Sequence, residues 1–107
     1  MQHSYKRKIE ITAHAKQRLA ERMPEIQPRD YERMVQSARY NGKTKHDLLK
    51  ENPKFAQAVF QRFRKNNSTE VRVYKNHVFI FCGNKGHRRT LRTVVDIPQY
   101  ILALQNT

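Results

Sequence analysis

Hydrophobic residues recur every three or four positions from residue 11 to residue 63 of the chain and every second position after residue 68. The first period is typical of amphipathic helices and the second of β-strands. Helices grouped before strands indicate an α+β fold, in contrast to the alternating order of α/β proteins. We therefore expect an N-terminal strand and helices, followed by an antiparallel β-meander and a short C-terminal helix.

The N-terminal residues predict a short strand and then a helix. Charged and apolar residues alternate over 6–11, which favours an edge strand, although a basic arm fits the same residues. Thr12 can cap a helix over 12–23, which Pro24 cannot continue. Its apolar positions are spaced by four: Ile11, Ala15, Leu19 and Met23.

A second helix is expected after Pro28, because proline suits the first turn of a helix. Its apolar positions have three-and-four spacing: Tyr31, Met34, Val35 and Ala38. Asn41 and Gly42 provide an exit signal. The two helices are separated by the short segment PEIQ, so we expect them to pack as a hairpin.

Residues 44–65 predict an additional helical region within a single domain of residues 1–107. Thr44 and Asp47 have the spacing of a capping box, and Pro53 begins a segment whose apolar residues share one helical face. Those residues are Phe55, Val59 and Phe63. We interpret 44–65 as a helical insertion.

The strand pattern predicts three antiparallel strands. Segments 69–75 and 77–82 flank Asn76 as a hairpin, and the second segment is apolar at both alternating sets of positions, so both of its faces should be covered. In 88–97, one alternating set of positions is mostly apolar and the other consists of Arg92, Val94 and Asp96. We therefore expect one face of this strand to be packed and the other to be open. Pro98 then begins the last helix.

Charge narrows the class of partner. The 107 residues contain 22 Lys and Arg but 9 acidic residues, which gives a formal charge of +13 and a pI near 10.4. Such an excess makes nucleic acid the leading partner class, and an acidic protein is an alternative. No apolar run reaches the roughly 20 residues of a membrane span. Because the N-terminus also lacks the apolar core of a signal peptide, we expect a cytoplasmic protein without a membrane partner.

One side of the first predicted helix carries a basic row of His14, Arg18 and Arg22. Residues four apart stack along one helix face, so the row places an imidazole beside two permanent cations. This arrangement suits a phosphate group. The alternative is that the three residues form only the solvated side of an amphipathic helix.

Other candidate residues lie on the predicted meander. A ribonuclease that uses no metal requires a base for the 2′-hydroxyl, cations for the charge at phosphorus, and an acid for the leaving 5′-oxygen. The candidates for this chemistry are His14, Arg18, Arg92, His77 and His87, and those for nucleic-acid binding are Arg22, Arg72, Tyr74, Lys85, Arg88 and Arg89. For each of them, the alternative is a cation that only contacts phosphates or solvent.

Two further residues have a more ordinary interpretation. Thr93 could direct a hydroxyl at a phosphate, but its alternation with apolar residues favours packing. Cys82, the single cysteine, lies in the apolar run VFIFC and is expected to be a small core residue. The five histidines are scattered without the close spacing of a helical metal motif, so we expect neither a metal site nor a cofactor.

The segment His14-Ala15-x-x-Arg18-x-x-x-Arg22, between a short strand and a second helix, resembles the opening helix of RelE/BrnT-type toxins and, more broadly, of the barnase–EndoU–colicin–RelE ribonuclease fold. The resemblance implies a four-stranded sheet, metal-independent RNA cleavage, an antitoxin or immunity partner, and roles for His14 and Arg18. The leading hypothesis is therefore a toxin-type endoribonuclease. The alternative is a non-catalytic DNA- or RNA-binding regulator of a phage or mobile element.

Overall fold

A computed structural model describes residues 9–63, 69–84 and 88–106 of the chain. It confirms the predicted α+β fold. The elements are β1 (Glu10–Ile11), α1 (Ala13–Arg22), a 3-10 turn (Pro28–Asp30), α2 (Tyr31–Asn41), α3 (Lys45–Glu51), α4 (Pro53–Arg62), β2 (Thr69–Tyr74), β3 (His77–Asn84), β4 (Arg88–Asp96), α5 (Gln99–Leu102) and a final 3-10 turn (Ala103–Asn106).

The strands form one four-stranded sheet in the order β1-β4-β3-β2. β2, β3 and β4 are the predicted antiparallel meander, and β1 pairs in parallel with β4 through Glu10 opposite Thr90 and Ile11 opposite Leu91. The predicted N-terminal strand is thus present, although it has only two residues within the described range.

Helices cover both faces of this sheet, so the protein has a hydrophobic core on each side. Under α1 and α2, the buried side chains include Ala15, Leu19, Met23, Val35, Phe79, Phe81, Leu91 and Val94. Under α3, α4 and α5, they include Leu48, Phe55, Val59, Val71, Val73, Val78, Ile97 and Ile101. β3 contributes to both cores, as its two apolar faces predict, and burial of each large side chain contributes roughly 2 kcal/mol.

The prediction that only one face of the last strand packs is wrong. Ile80 pairs with Thr93 while Phe81 pairs with Leu91, so Arg92 is the extra residue of a β-bulge. The bulge resets the alternation. As a result, Leu91 and Val94 lie in the core under α1, whereas the strand contributes to the other core through Val95 and Ile97.

The predicted insertion forms α3 and α4, which meet at Asn52. The Thr44 side chain accepts a hydrogen bond from the Asp47 amide, and Asp47 accepts one from the Thr44 amide, which confirms the capping box. The backbone hydrogen bond from Thr44 is the main cause that lowers the pKa of Asp47. Asn52 ends α3, caps α4 through the Phe55 amide and donates to the carbonyl of Leu104.

Gly42 follows α2 at a point where any larger residue would clash. A Cβ atom there would lie 2.3 Å from the carbonyl oxygen of Ala38 and 3.1 Å from the Arg72 Cβ. The next residue, Lys43, exchanges two backbone hydrogen bonds with Val73 at the outer edge of β2. Close passage of the chain at Gly42 therefore permits one residue to cover part of this sheet edge.

A two-residue turn, Lys75-Asn76, joins β2 to β3. Both residues have positive φ angles, 52° and 62°, as in a type I′ turn. Glycine adopts this conformation freely because it has no Cβ, and the short polar side chain of asparagine can compensate by a local hydrogen bond, whereas lysine has a Cβ that crowds the backbone and no such compensation.

Replacement of the strained lysine should stabilise the fold. We expect Lys75→Asn to raise the free energy of unfolding by about 0.5–1 kcal/mol, since asparagine tolerates the left-handed conformation better. Urea denaturation would measure the change. Lys50→Asn, the same substitution in helix α3, is the control and should not stabilise; an unchanged or lower value for Lys75→Asn would contradict the strain argument.

Candidate nucleic-acid interface

The basic row of α1 lies beside the helix face that packs on the sheet. Ala15, Leu19 and Met23 are fully buried, and the preceding position in each turn belongs to the row. His14 is exposed, while Arg18 and Arg22 each keep about one-third of their side-chain surface in solvent. The sequence prediction of a separate polar stripe is therefore confirmed, although Arg18 and Arg22 are less exposed than His14.

The start of α1 is fixed against β4 next to the bulge. The Thr12 amide donates to the Leu91 carbonyl at 3.3 Å, and the Thr12 hydroxyl donates to the Arg92 carbonyl at 3.4 Å. Two residues later in the chain comes His14. The backbones that carry His14 and Arg92 are thus neighbours at one edge of the sheet.

The bulge also decides the direction of Arg92. Leu91 and Val94 both point into the core under α1, so the two residues between them share the opposite direction. Arg92 is exposed and Thr93 is partly buried. Arg92 therefore projects from the face of the sheet that is away from α1. To contact a ligand bound by His14, its side chain would have to reach around the edge of the sheet.

Arg18 is held by a residue of its own helix. Its Nη1 lies 2.7 Å from Glu21 Oε1, and the hydrogen bond from Arg18 is the largest cause that lowers the pKa of Glu21. A carboxylate thus lies inside the basic row. The i to i+3 spacing of Arg18 and Glu21 was visible in the sequence and could have indicated this pair.

Arg22 and His77 converge on a second carboxylate, Asp96. Arg22 Nη1 lies 3.6 Å from Asp96 Oδ2, and His77 Nε2 lies 3.2 Å from Asp96 Oδ1. His77 Nδ1 lies 2.8 Å from the Lys75 carbonyl oxygen, to which it can only donate. Both ring nitrogens therefore face acceptors, and His77 would have to leave one of these contacts before it could transfer a proton to RNA.

Arg72 is directed inward at the junction of β2 and α2. Its Nε lies 2.8 Å from Glu70 Oε2, its Nη1 donates to the Gly42 carbonyl at 3.0 Å, and its side chain is only 16% exposed. Arg39 from α2 lies 3.2 Å from the other oxygen of Glu70. One carboxylate thus joins two guanidinium groups and ties α2 to the sheet, an arrangement that the sequence pattern did not predict.

Tyr74 is also partly enclosed. Its ring meets Phe79 edge-on with centroids 6.1 Å apart, and Lys75 Nζ lies 5.8 Å from the ring centroid. Lys85 and His87 lie outside the described residues. Arg88 and Arg89 begin β4, and their side chains likewise lie outside what the structure describes.

The candidate residues do not surround either of two surface depressions in the described part of the protein. One, of about 470 Å³, lies between β1, α1 and the start of α2 and includes Thr12 and Lys16. The other, of about 370 Å³, lies beside the hairpin and includes Lys43 and Lys75. None of the described sequence candidates therefore lines either depression.

The described residues contain neither a potential metal-binding cluster nor a membrane-spanning helix. No three His, Cys, Asp or Glu side chains in residues 9–63, 69–84 and 88–106 come together as a group that could hold a metal ion. No helix in those ranges is both long and apolar enough to span a membrane.

Comparisons with protein-family models, curated proteins and solved structures find no match to this chain. The resemblance to RelE/BrnT-type toxins therefore rests on the α1 motif and the order of elements.

The two shared carboxylates should differ in their contribution to stability. The Glu70 side chain is 22% exposed, whereas that of Asp96 is 57% exposed. We expect Glu70→Gln to lower the free energy of unfolding by about 1–3 kcal/mol, because it leaves two enclosed guanidinium groups without a carboxylate. The matched change Asp96→Asn should cost less than about 1 kcal/mol, because solvent screens exposed pairs.

Chemical denaturation of both variants would measure these costs. Equal destabilisation by Glu70→Gln and Asp96→Asn would show that the Arg39–Glu70–Arg72 contact does not hold α2 to the sheet more strongly than the exposed pair holds α1.

Proposed function

We propose that the protein binds nucleic acid, RNA or DNA, through contacts with backbone phosphates. The observation that supports this proposal is that most acidic side chains make contacts within the fold, whereas many basic side chains are exposed. All nine acidic residues lie in the described ranges, and six of them make contacts with cations or a helix cap: Glu21, Asp30, Asp47, Glu51, Glu70 and Asp96. Most of the negative charge is therefore used within the fold.

Many basic residues, in contrast, are exposed and lie outside these ion pairs. Of those described, the exposed ones outside the ion pairs above are Lys16, Arg29, Lys45, Lys50, Lys54, Arg62, Lys75 and Arg92. By sequence, the segments 6–8, 64–65 and 85–89 add further cations and no acid. A surface with this excess of positive charge attracts polyanions, and counterions of the polyanion are released when it binds.

This proposal predicts a strong dependence on salt. Binding of a fluorescent RNA or DNA oligonucleotide, followed by anisotropy, should weaken linearly on a plot of log affinity against log salt, with a slope that reports the number of phosphate contacts. Affinity that does not change between low and physiological salt would contradict phosphate binding. An acidic peptide of equal charge is the control for capture of an acidic protein, and preference for it over nucleic acid would favour that alternative.

Metal-independent RNA cleavage is the second candidate function. It is supported by the exposure of His14 and by the hydrogen bond that joins the start of α1 to the Arg92 carbonyl. His14 would accept the 2′-hydroxyl proton, and the 2′-oxygen would bond to phosphorus as the bond to the 5′-oxygen breaks; the leaving 5′-oxygen would take a proton from water. Arg18 would stabilise the charge on the phosphate, and Arg92 would reach it around the edge of the sheet. Under this proposal the protein acts in the cytoplasm as a toxin with an acidic antitoxin or immunity partner.

Cleavage should persist without divalent metal. RNA incubated with the protein in EDTA should be cut, and His14→Ala/Arg18→Ala should reduce the rate by at least about a hundredfold, the usual contribution of a general acid or base. Lys16→Ala, an exposed cation on the same helix, is the matched control and should remain active. The absence of cleavage, or equal cleavage by all three proteins, would reject the nuclease proposal but not phosphate binding.

A further inference from the structure

Helix α4 has a polar face with hydrogen-bond donors and no negative charge. Phe55, Ala56 and Val59 are buried against the sheet. On the opposite side, Lys54, Gln57 and Gln61 are exposed, and Arg62 is exposed at the end of the helix, where its guanidinium carbon lies 5.6 Å from the centroid of the Phe63 ring. Pro53 to Arg62 contains no acidic residue, whereas α1, α2 and α3 each contain at least one.

The elements beside α4 do not supply the missing negative charge. On α3, Asp47 is held in the capping box and Glu51 contacts Lys43, while Lys45 and Lys50 are exposed. On the other side lie α5 and the final 3-10 turn, and residues 97–107 contain no charged side chain. This face therefore carries two positive charges, at Lys54 and Arg62, and no negative charge.

We propose that this face of α4, defined by Lys54, Gln57, Gln61 and Arg62, binds the sugar-phosphate backbone of a base-paired nucleic acid. The inference rests on the proposed nucleic-acid binding and assigns it to a surface. Lysine, arginine and glutamine are common donors to phosphate oxygens. A helix rise of 1.5 Å per residue spreads the donors from Lys54 to Gln61 over about 10 Å along one rigid line.

The distribution of aromatic residues favours a paired ligand. Proteins that bind single strands stack successive bases on several exposed rings, often on an open sheet. Here helices cover both sheet faces, and Phe60 and Phe63 of the α4 segment pack against the core. Tyr40 and Tyr100 are the large hydrophobic side chains that the described ranges leave exposed, and only Tyr100, 69% exposed on α5, belongs to an element that packs on α4. One ring does not form a stacking platform.

Paired charge variants test the surface directly. Lys54→Glu/Arg62→Glu reverses two cations of the α4 face, and Lys16→Glu/Arg29→Glu makes the same change in net charge on α1 and the first 3-10 turn. Gln57→Glu/Gln61→Glu adds carboxylates to the α4 face without removing a cation. Thermal melting of each variant establishes that it is folded. We expect the variants to fold, because all of these side chains are exposed.

The probes are an RNA duplex and a DNA duplex of about 20 base pairs, with the corresponding single strands, in low salt. We expect the wild-type protein to bind a duplex at least as tightly as either single strand. Both α4 variants should weaken duplex binding more than tenfold, against less than threefold for the control. The salt slope of Lys54→Glu/Arg62→Glu should fall by about two, one for each lost phosphate contact.

Three results would overturn the inference. Equal losses in the α4 and control variants would show that α4 is not the contact surface. Tenfold tighter binding of single strands, lost in Tyr100→Ala, would indicate base stacking. Absence of binding to every probe would reject the proposed function itself, an outcome distinct from the other two.

Discussion

Burial of β3 on both faces is the constraint on which the remaining structure depends. Val78 on one side and Phe79 and Phe81 on the other have no exposed surface, so helices must cover both sides of the sheet. The α1–α2 pair supplies one layer, and the α3, α4 and α5 helices supply the other. This requirement gives the region 44–65 a structural role, because α4 carries the aromatic side chains of the second core.

The same arrangement determines where charge can lie. Carboxylates at the layer junctions bind basic side chains of different elements: Glu70 joins Arg39 of α2 to Arg72 of β2, and Asp96 joins Arg22 of α1 to His77 of β3. Ion pairs that connect elements contribute to the geometry of the fold. Together with the pairs of Glu21, Asp30 and Glu51 and the capping box of Asp47, these contacts use six of the nine acidic residues. The surplus cations remain on the outer helix faces, where phosphate groups can reach them.

Much of the fold could be predicted from the sequence because periodicity and caps are local signals. The capping box at Thr44, the two covered faces of β3 and the 3-10 turn at Pro28 that leads into α2 all follow from residues close in the chain. The bulge at Arg92 could not be predicted, because it depends on how β4 aligns with β3. Because of the bulge, the face of β4 that the sequence pattern predicts to be open is also packed.

The candidate site was less predictable, because ion pairs connect residues far apart in sequence. The His14, Arg18 and Arg22 row was recognised from its spacing, but the convergence of Arg22 and His77 on Asp96 requires the strand register. Similarly, enclosure of Arg72 depends on the path of the chain at Gly42. A basic residue in a sequence therefore indicates a ligand contact only after its intramolecular partners are known.

The central claim is that cations left over from the fold bind nucleic-acid phosphates on an outer surface. Titration of isotopically labelled protein with a short duplex, followed by amide NMR spectra, tests it most directly. The account predicts saturable shifts concentrated in Pro53 to Arg62 that disappear at high salt. Spectra that do not change at low salt, or shifts confined to residues away from α4 and insensitive to salt, would contradict it.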